Sequence, residues 1–180
     1  MGTRRHDPER RSRIVDAALD VIAEVGVAGA SHRRIADRAD VPLGSMTYHF
    51  DGMDDLLRQA FTRFAEAGVA RLQARLGAAG DQEASAAVVD LLHDGVGAGS
   101  RRDLVLLCEL HTLAARRPVF REITRSWTAG SRRELERHFT REQARRLDAL
   151  LEGLTVQRAV DTDPPDREFT REAVARITDG

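Results

Sequence analysis

Between residues 31 and 57 the chain cannot carry one continuous helix. Pro42 has no backbone N–H, and in an unbroken helix its ring would collide with the carbonyl of Arg38. Asp40-Val41-Pro42 therefore separates two short helical stretches, about 31–39 and 43–50. Ser31 is a good N-cap for the first of them. Ahead of this pair, Ile14, Ala17, Ala18, Val21, Ile22 and Val25 recur at i, i+3, i+4, i+7, i+8 and i+11, which is one face of a helix. Gly26 and Gly29 bracket its stop. An amphipathic helix followed by two short helices across a tight break is a helix-turn-helix pattern. In such a unit the second short helix enters the major groove of DNA.

The rest of the chain also reads as helix. Asp51-Gly52 marks a turn, and Asp54 and Asp55 favour the start of a long fourth helix. Leu56, Leu57, Ala60, Phe61, Phe64 and Leu72 mark its buried face, and it fades near Gly77 to Gly80. A moderately apolar helix follows over 83–98. The next, 101–116, carries Leu104, Val105, Leu106, Leu107, Leu110 and Leu113, is apolar nearly all round, and suits the middle of a bundle. Pro118 starts another, with Phe120, Ile123, Trp127, Leu135 and Phe139 inward. Residues 141–160 bear a leucine stripe, Asp161 to Asp166 form a linker, and a last short helix holds Phe169, Val174 and Ile177. The expectation is an all-α fold of about nine helices.

Charge limits where a polyanion could bind. The formal net charge is −1, so any nucleic-acid surface must be local. All 28 basic residues counted as Lys or Arg are Arg, whose planar fork suits phosphate and guanine. The single cysteine, Cys108, cannot form an intrachain disulfide, which fits a reducing compartment. No stretch approaches the roughly 18 apolar residues of a membrane span, and the Arg-bearing start lacks an apolar signal core. A cytoplasmic location without membrane contact is expected.

Ile35, Ala36, Ala39 and Val41 lie where the two short helices must pack, and the small Ala36 permits a close crossing. Arg33, Arg34, Arg38, Leu43, Ser45, Thr47, Tyr48 and His49 would then face outward. Gly44 would let backbone approach a phosphate closely. Residues 9–60 resemble the TetR/AcrR family of DNA-binding regulators. The likeness is carried by Ile35-Ala36, Ala39, Val41, Gly44-Ser45-Met46-Thr47-Tyr48-His49-Phe50 and Leu56-Leu57. It implies a helix-turn-helix domain over 1–51, with residues 1–8 as an arm, and a ligand-sensing and dimerisation domain over 52–180. It implies Ser31, Arg33, Arg34, Gly44, Ser45, Thr47, Tyr48 and His49 as residues that meet DNA. Three positions depart from the family pattern. Asp40 stands where Gly is usual, but Asp tolerates a left-handed turn. Thr47 stands where an aromatic is usual, with Tyr48 next to it. Met53-Asp54-Asp55 replaces a region that often holds a phosphate-binding Lys, so no phosphate contact is transferred there.

A single helix-turn-helix buries little surface, and dimers overcome this by reading two half-sites about 34 Å or a multiple apart. The leucine stripe of 141–160, with Leu150-Leu151-Glu152-Gly153-Leu154, looks like the dimerisation helix of such regulators, and 167–178 would join it. The resemblance further implies double-stranded operator DNA as partner, and an unidentified small-molecule effector in the C-terminal part. Phe61, Phe64, Leu107, Cys108, His111, Ile123 and Trp127 are the candidate pocket walls. The expected function is a transcriptional regulator, a repressor released from a palindromic operator by that effector. Two other classes stay open. Cys108 and His111 stand at i, i+3, the spacing of a metal or thiolate–imidazole pair. However, the chain has no second cysteine, HExxH or Gly-rich phosphate loop, so no enzyme, cofactor or metal site is expected. The third class is a helical ligand-binding or adaptor module that does not touch DNA.

Overall fold

The computed structural model describes residues 9–79, 83–93 and 100–179. The expected arm at 1–8 and the glycine-rich stretch at 95–99 lie outside them. The described residues form nine helices and no strand: α1 (Arg10–Gly29), α2 (His32–Arg38), α3 (Gly44–His49), α4 (Gly52–Ala79), α5 (Ala84–His93), α6 (Arg101–Arg116), α7 (Pro118–Leu135), α8 (Arg141–Val160) and α9 (Arg167–Thr178). None of these helices is long and apolar enough to cross a membrane.

Two compact units divide the chain, Met1–Phe64 and Ala65–Gly180. The first twelve or so residues of α4 thus cluster with the three helices before it. In this first unit Ile14, Ala17, Ala18, Val21 and Ile22 of α1 are buried, as the periodicity predicts. Gly26 breaks α1 with φ 70° and ψ 171°, a left-handed conformation that glycine adopts without a Cβ penalty. Val25, beside that break, is exposed rather than buried. The Ser31 side chain accepts a bond from the Arg34 N–H at 3.3 Å and starts α2 as expected. Asp40 holds φ 51°, and no other non-glycine described residue has a positive φ. This is the left-handed turn that brings α3 back onto α2, and Asp serves where the family usually has Gly.

Ile35 and Ala36 of α2, Met46 of α3, Phe50, and Leu56, Leu57, Ala60 and Phe61 of α4 are buried in the same unit. Arg63 of α4 donates to the Ser12 carbonyl at 3.0 Å and to the Asp16 carboxylate at 2.8 Å, both on α1. Asp55 starts α4 by accepting from the Asp51 N–H at 3.2 Å, and it also holds Gln59 and Arg58. Burial pushes the Asp55 carboxyl up, but the bonds from Gln59 and Asp51 and the charge of Arg58 outweigh it, and its pKa ends low.

The second unit has its own core, in which Leu72 and Leu76 of α4, Ala87, Val88 and Val89 of α5, Leu135 of α7, Ala144 and Leu147 of α8 and Val174 of α9 pack together. A capping box between Thr140 and Gln143 starts α8. The Gln143 side chain also donates to the Thr178 carbonyl at 2.8 Å and ties α8 to the end of α9. One sequence expectation is corrected here. Helix α6 is amphipathic rather than apolar all round: Leu104, Leu106, Leu107, Leu110, Leu113 and Ala114 are buried, while Cys108, His111 and Thr112 are exposed. Leucine at i, i+2, i+3 and i+6 fills barely more than one side of a helix, so a high leucine count did not mean full enclosure. Phe169 of α9 is 56% exposed.

Candidate nucleic-acid interface

Helix α3 has only six residues, too few to be stable alone. It is held by what it buries. Met46 and Phe50 point into the first unit, and the Met46 N–H bonds the Leu43 carbonyl at 3.0 Å. Thr47 and Tyr48 follow Met46 by about 100° and about 200° around the helix axis and turn outward. Tyr48 is 81% exposed, more than any other large hydrophobic side chain among the described residues of this unit. Thr47 is exposed too, with its hydroxyl donating back to the Gly44 carbonyl at 3.3 Å. At Gly44 an added Cβ would meet nothing within 4 Å, so the backbone there is open to an incoming group.

The other expected residues divide. Arg33 is exposed, with no ion pair or hydrogen bond among the described residues. Arg34 is exposed, but its guanidinium already donates to the Gly29 carbonyl at 3.0 Å and closes the end of α1. Arg38 is paired with Glu24 of α1 at 2.6 Å. His49 is half-buried. Burial lowers its pKa first, and the charges of Arg10 and Arg11 lower it further. Ser45 corrects the sequence reading: it is buried at 8% exposure, one helical step before Met46. The polar side chain suggested an outward position, but three consecutive residues of a short helix span most of its circumference, and Ser45 falls on the inner half. Ser31 likewise spends its hydroxyl on the α2 cap.

What remains open on this face is Tyr48, Thr47, the Gly44 backbone, Leu43 and the cationic Arg33. An exposed aromatic hydroxyl, an exposed threonine methyl and hydroxyl, and a free guanidinium can contact base edges, thymine methyls and phosphates. Asp54 and Asp55 stand just beyond, and the charge of Asp55 is met by Arg58 at 2.8 Å.

The expected pocket residues do not share one unit. Phe61 and Phe64 are buried in the first. In the second, Leu107 and Ile123 are buried, and Trp127 is half-buried with its ring against Gly68. Cys108 and His111 lie on the open face of α6. They form no thiolate–imidazole pair, because both imidazole nitrogens are engaged elsewhere, Nδ1 with the Leu107 carbonyl and Nε2 with Glu152. Among the described residues no cluster of three or more His, Cys, Asp or Glu side chains could hold a metal ion. The acid that meets His111, Glu152, was not singled out by sequence reasoning. Its signal lay in three-dimensional proximity across forty residues, which no local pattern carries.

Residues 14–60 match the family described as bacterial regulatory proteins, tetR family. Residues 80–180, more than half the chain, match the tetracyclin repressor-like C-terminal domain. Among solved structures, the protein SCO7518 of Streptomyces coelicolor A3(2) is 56% identical, with 96% of this chain and 100% of that one covered and a TM-score of 0.88. The multidrug binding protein EbrR, complexed with imidazole, is 38% identical with 96% of each chain covered and a TM-score of 0.80, and it has also been solved with ethidium. The regulator BetI 1 of Chromohalobacter salexigens is 28% identical, with 95% of this chain and 93% of that one covered. An exposed recognition face on a helix-turn-helix, joined to this C-terminal domain, makes the chain a DNA-binding transcriptional regulator that belongs to the TetR family.

Proposed function

We propose that the chain is a homodimeric repressor that grips an approximately palindromic operator and is released from it by a small-molecule effector. The observation that carries the proposal is the exposure of Tyr48 on a helix anchored from behind by Met46 and Phe50. A large amphipathic ring held out to solvent on a six-residue helix adds nothing to the core, and groove contact gives it a role. Tyr48, Thr47 and the Gly44 backbone read or approach the duplex, and Arg33 meets phosphate. Ser31 and Arg34 contribute by fixing the ends of α1 and α2, with Ser45 seating α3.

Dimerisation through 141–160 and 167–178 is supported by the apolar surface those helices leave uncovered. Val160 is 68% and Phe169 56% exposed, and Leu150, Leu151, Val156 and Ile177 are only partly buried. Two subunits bound to one promoter would block polymerase, which is repression. The effector reading is supported by EbrR, whose structures hold proflavin, ethidium and malachite green. Flat aromatic cations are therefore the first class to test. Leu107, Ile123 and Trp127 are the wall residues that the second unit offers. Helix α4 runs through both units, so a change in its tilt is the lever by which an effector would alter half-site spacing. The effector must bind the DNA-incompetent arrangement more tightly, or it shifts nothing.

Equilibrium binding to a labelled duplex, at two salt concentrations and with or without malachite green, tests the proposal. The expected result is salt-dependent binding that the dye weakens. No binding to duplex DNA at low salt would favour the adaptor reading, and binding indifferent to every aromatic cation tried would remove the effector class.

A further inference from the structure

Three rings at the end of α3 form a row. Tyr48 and His49 meet edge to face, with centroids 4.8 Å apart and planes at 87°. His49 and Phe50 follow at 6.3 Å and 61°. Phe50 is buried, and the guanidinium of Arg11 lies 5.8 Å from its ring centroid. The row thus runs from a fixed ring in the core, through half-buried His49, to the exposed ring of Tyr48. Consecutive helical residues point about 100° apart. Contact between the rings of 48 and 49 therefore requires both side chains to lean together. An exposed tyrosine that must order on binding loses affinity to its own freedom, and a neighbour that restrains it beforehand reduces that loss.

We propose that His49 is a positioning residue, which sets the ring of Tyr48 for base readout. This rests on the reading of α3 as the groove-entering helix. Partial burial, and then the charges of Arg10 and Arg11 from α1, lower the His49 pKa and favour the neutral imidazole. A neutral imidazole keeps the ring edge that Tyr48 needs, but lacks the charge that makes a strong phosphate ligand. Arg10 and Arg11 are the cations at this corner, and Arg11 lies over Phe50.

The test uses a double-mutant cycle on an operator obtained by selection from random duplexes. His49→Ala should weaken operator binding by roughly 3- to 10-fold, the scale of one aromatic pair. It should leave random-DNA binding and the slope of log affinity against log salt unchanged. His49→Phe, which keeps a ring edge, should restore most of the loss. In a Tyr48→Ala background His49→Ala should have no further effect. Tyr48 is the only tyrosine, so its ring resonances can be followed alone in the DNA-free protein. Their cross-relaxation with the ring at position 49 should be present in the wild type and in His49→Phe. The proposal is overturned if His49→Ala and His49→Phe weaken operator and random DNA alike and reduce the salt slope, which is the signature of a lost phosphate contact. It is also overturned if His49→Ala costs as much without Tyr48 as with it. A wild-type protein that selects no operator would instead remove the groove reading itself, and the proposal with it.

Discussion

His111 is bonded to two acceptors at once: Nε2 lies 2.8 Å from Glu152 Oε1 and Nδ1 lies 2.9 Å from the Leu107 carbonyl. A carbonyl and a carboxylate have no proton to offer, so this geometry is satisfied at both ring nitrogens only by the imidazolium, and it favours that form. The bond to Glu152 raises the His111 pKa, against partial burial, with help from Leu107 and the charge of Glu152. Glu152 is lowered in return, first by the same bond. Arg132 and Asp148, joined at 2.9 Å across α7 and α8, are the other charges that bear on this pair.

The pH dependence follows from those directions. A histidine whose folded pKa is raised contributes stability below its unfolded value of about 6.5 and loses it as pH rises through the folded value. Glu152, lowered on folding, contributes above its unfolded value and loses it as pH falls through its own folded pKa. Between these limits the α6–α8 tie is intact. Its side chains are 43% and 49% exposed, so the tie is worth no more than about 1 kcal/mol. Glu152→Gln should lower stability by that order at pH 6, and the difference from wild type should close as pH rises above the folded pKa of His111. Chemical denaturation at several pH values measures the gap, and a gap that widened toward alkaline pH would contradict the imidazolium assignment.

Tyr48→Ala should weaken operator binding by about 1–3 kcal/mol and random-DNA binding much less. Because Tyr48 is exposed, thermal stability should stay within about 0.5 kcal/mol of wild type. Arg33→Ala should weaken both kinds of DNA and reduce the salt slope by about one unit. Gel shifts at graded salt check both. Unchanged operator affinity in Tyr48→Ala would show that another residue does the reading.

Met46 is fully buried and anchors α3. Met46→Ala should cost about 2–5 kcal/mol and abolish operator binding while Tyr48 is untouched. Loss of DNA binding without loss of stability would mean that α3 is held by something other than its core contact.

Two helical glycines should respond in opposite directions. A Cβ at Gly130 of α7 would lie 2.9 Å from the Val69 Cγ2 of α4, and a β-branched neighbour has little freedom to give way. Gly130→Ala should therefore destabilise by about 1–3 kcal/mol, and Val69→Ala in the same chain should recover part of it. At Gly77 of α4 the Cβ would meet nothing within 4 Å, so Gly77→Ala should stabilise by up to about 1 kcal/mol. Thermal unfolding of the variants decides both signs.

The helix-turn-helix was legible because its rules are local. Pro42 forbids a continuous helix, Ser31 caps, Gly26 breaks, and Asp40 takes the left-handed turn, each within a few residues of its effect. The burial of Ile35 and Phe61 followed from local pattern, Ile35 from the crossing of the two short helices and Phe61 from the spacing along α4. The misread positions depend on partners far along the chain. Ser45 was assigned outward by polarity, although the neighbouring Met46 commits that side of α3 to the core. The leucine content of α6 does not show which of its sides a neighbouring element covers, and Cys108 and His111 lie on the open one. The commitments of Arg34 to Gly29, Arg38 to Glu24 and His111 to Glu152 are tertiary, and no spacing rule in one helix announces them.

The central claim is that two copies of the α3 rod address one duplex together. Selection of bound sequences from random DNA, followed by footprinting of the winners, tests it most directly. An imperfect inverted repeat, with protected half-sites about 34 Å or a multiple apart on one face, is the predicted result. Enrichment of a lone half-site protected by one subunit, or of no sequence at all, would contradict it.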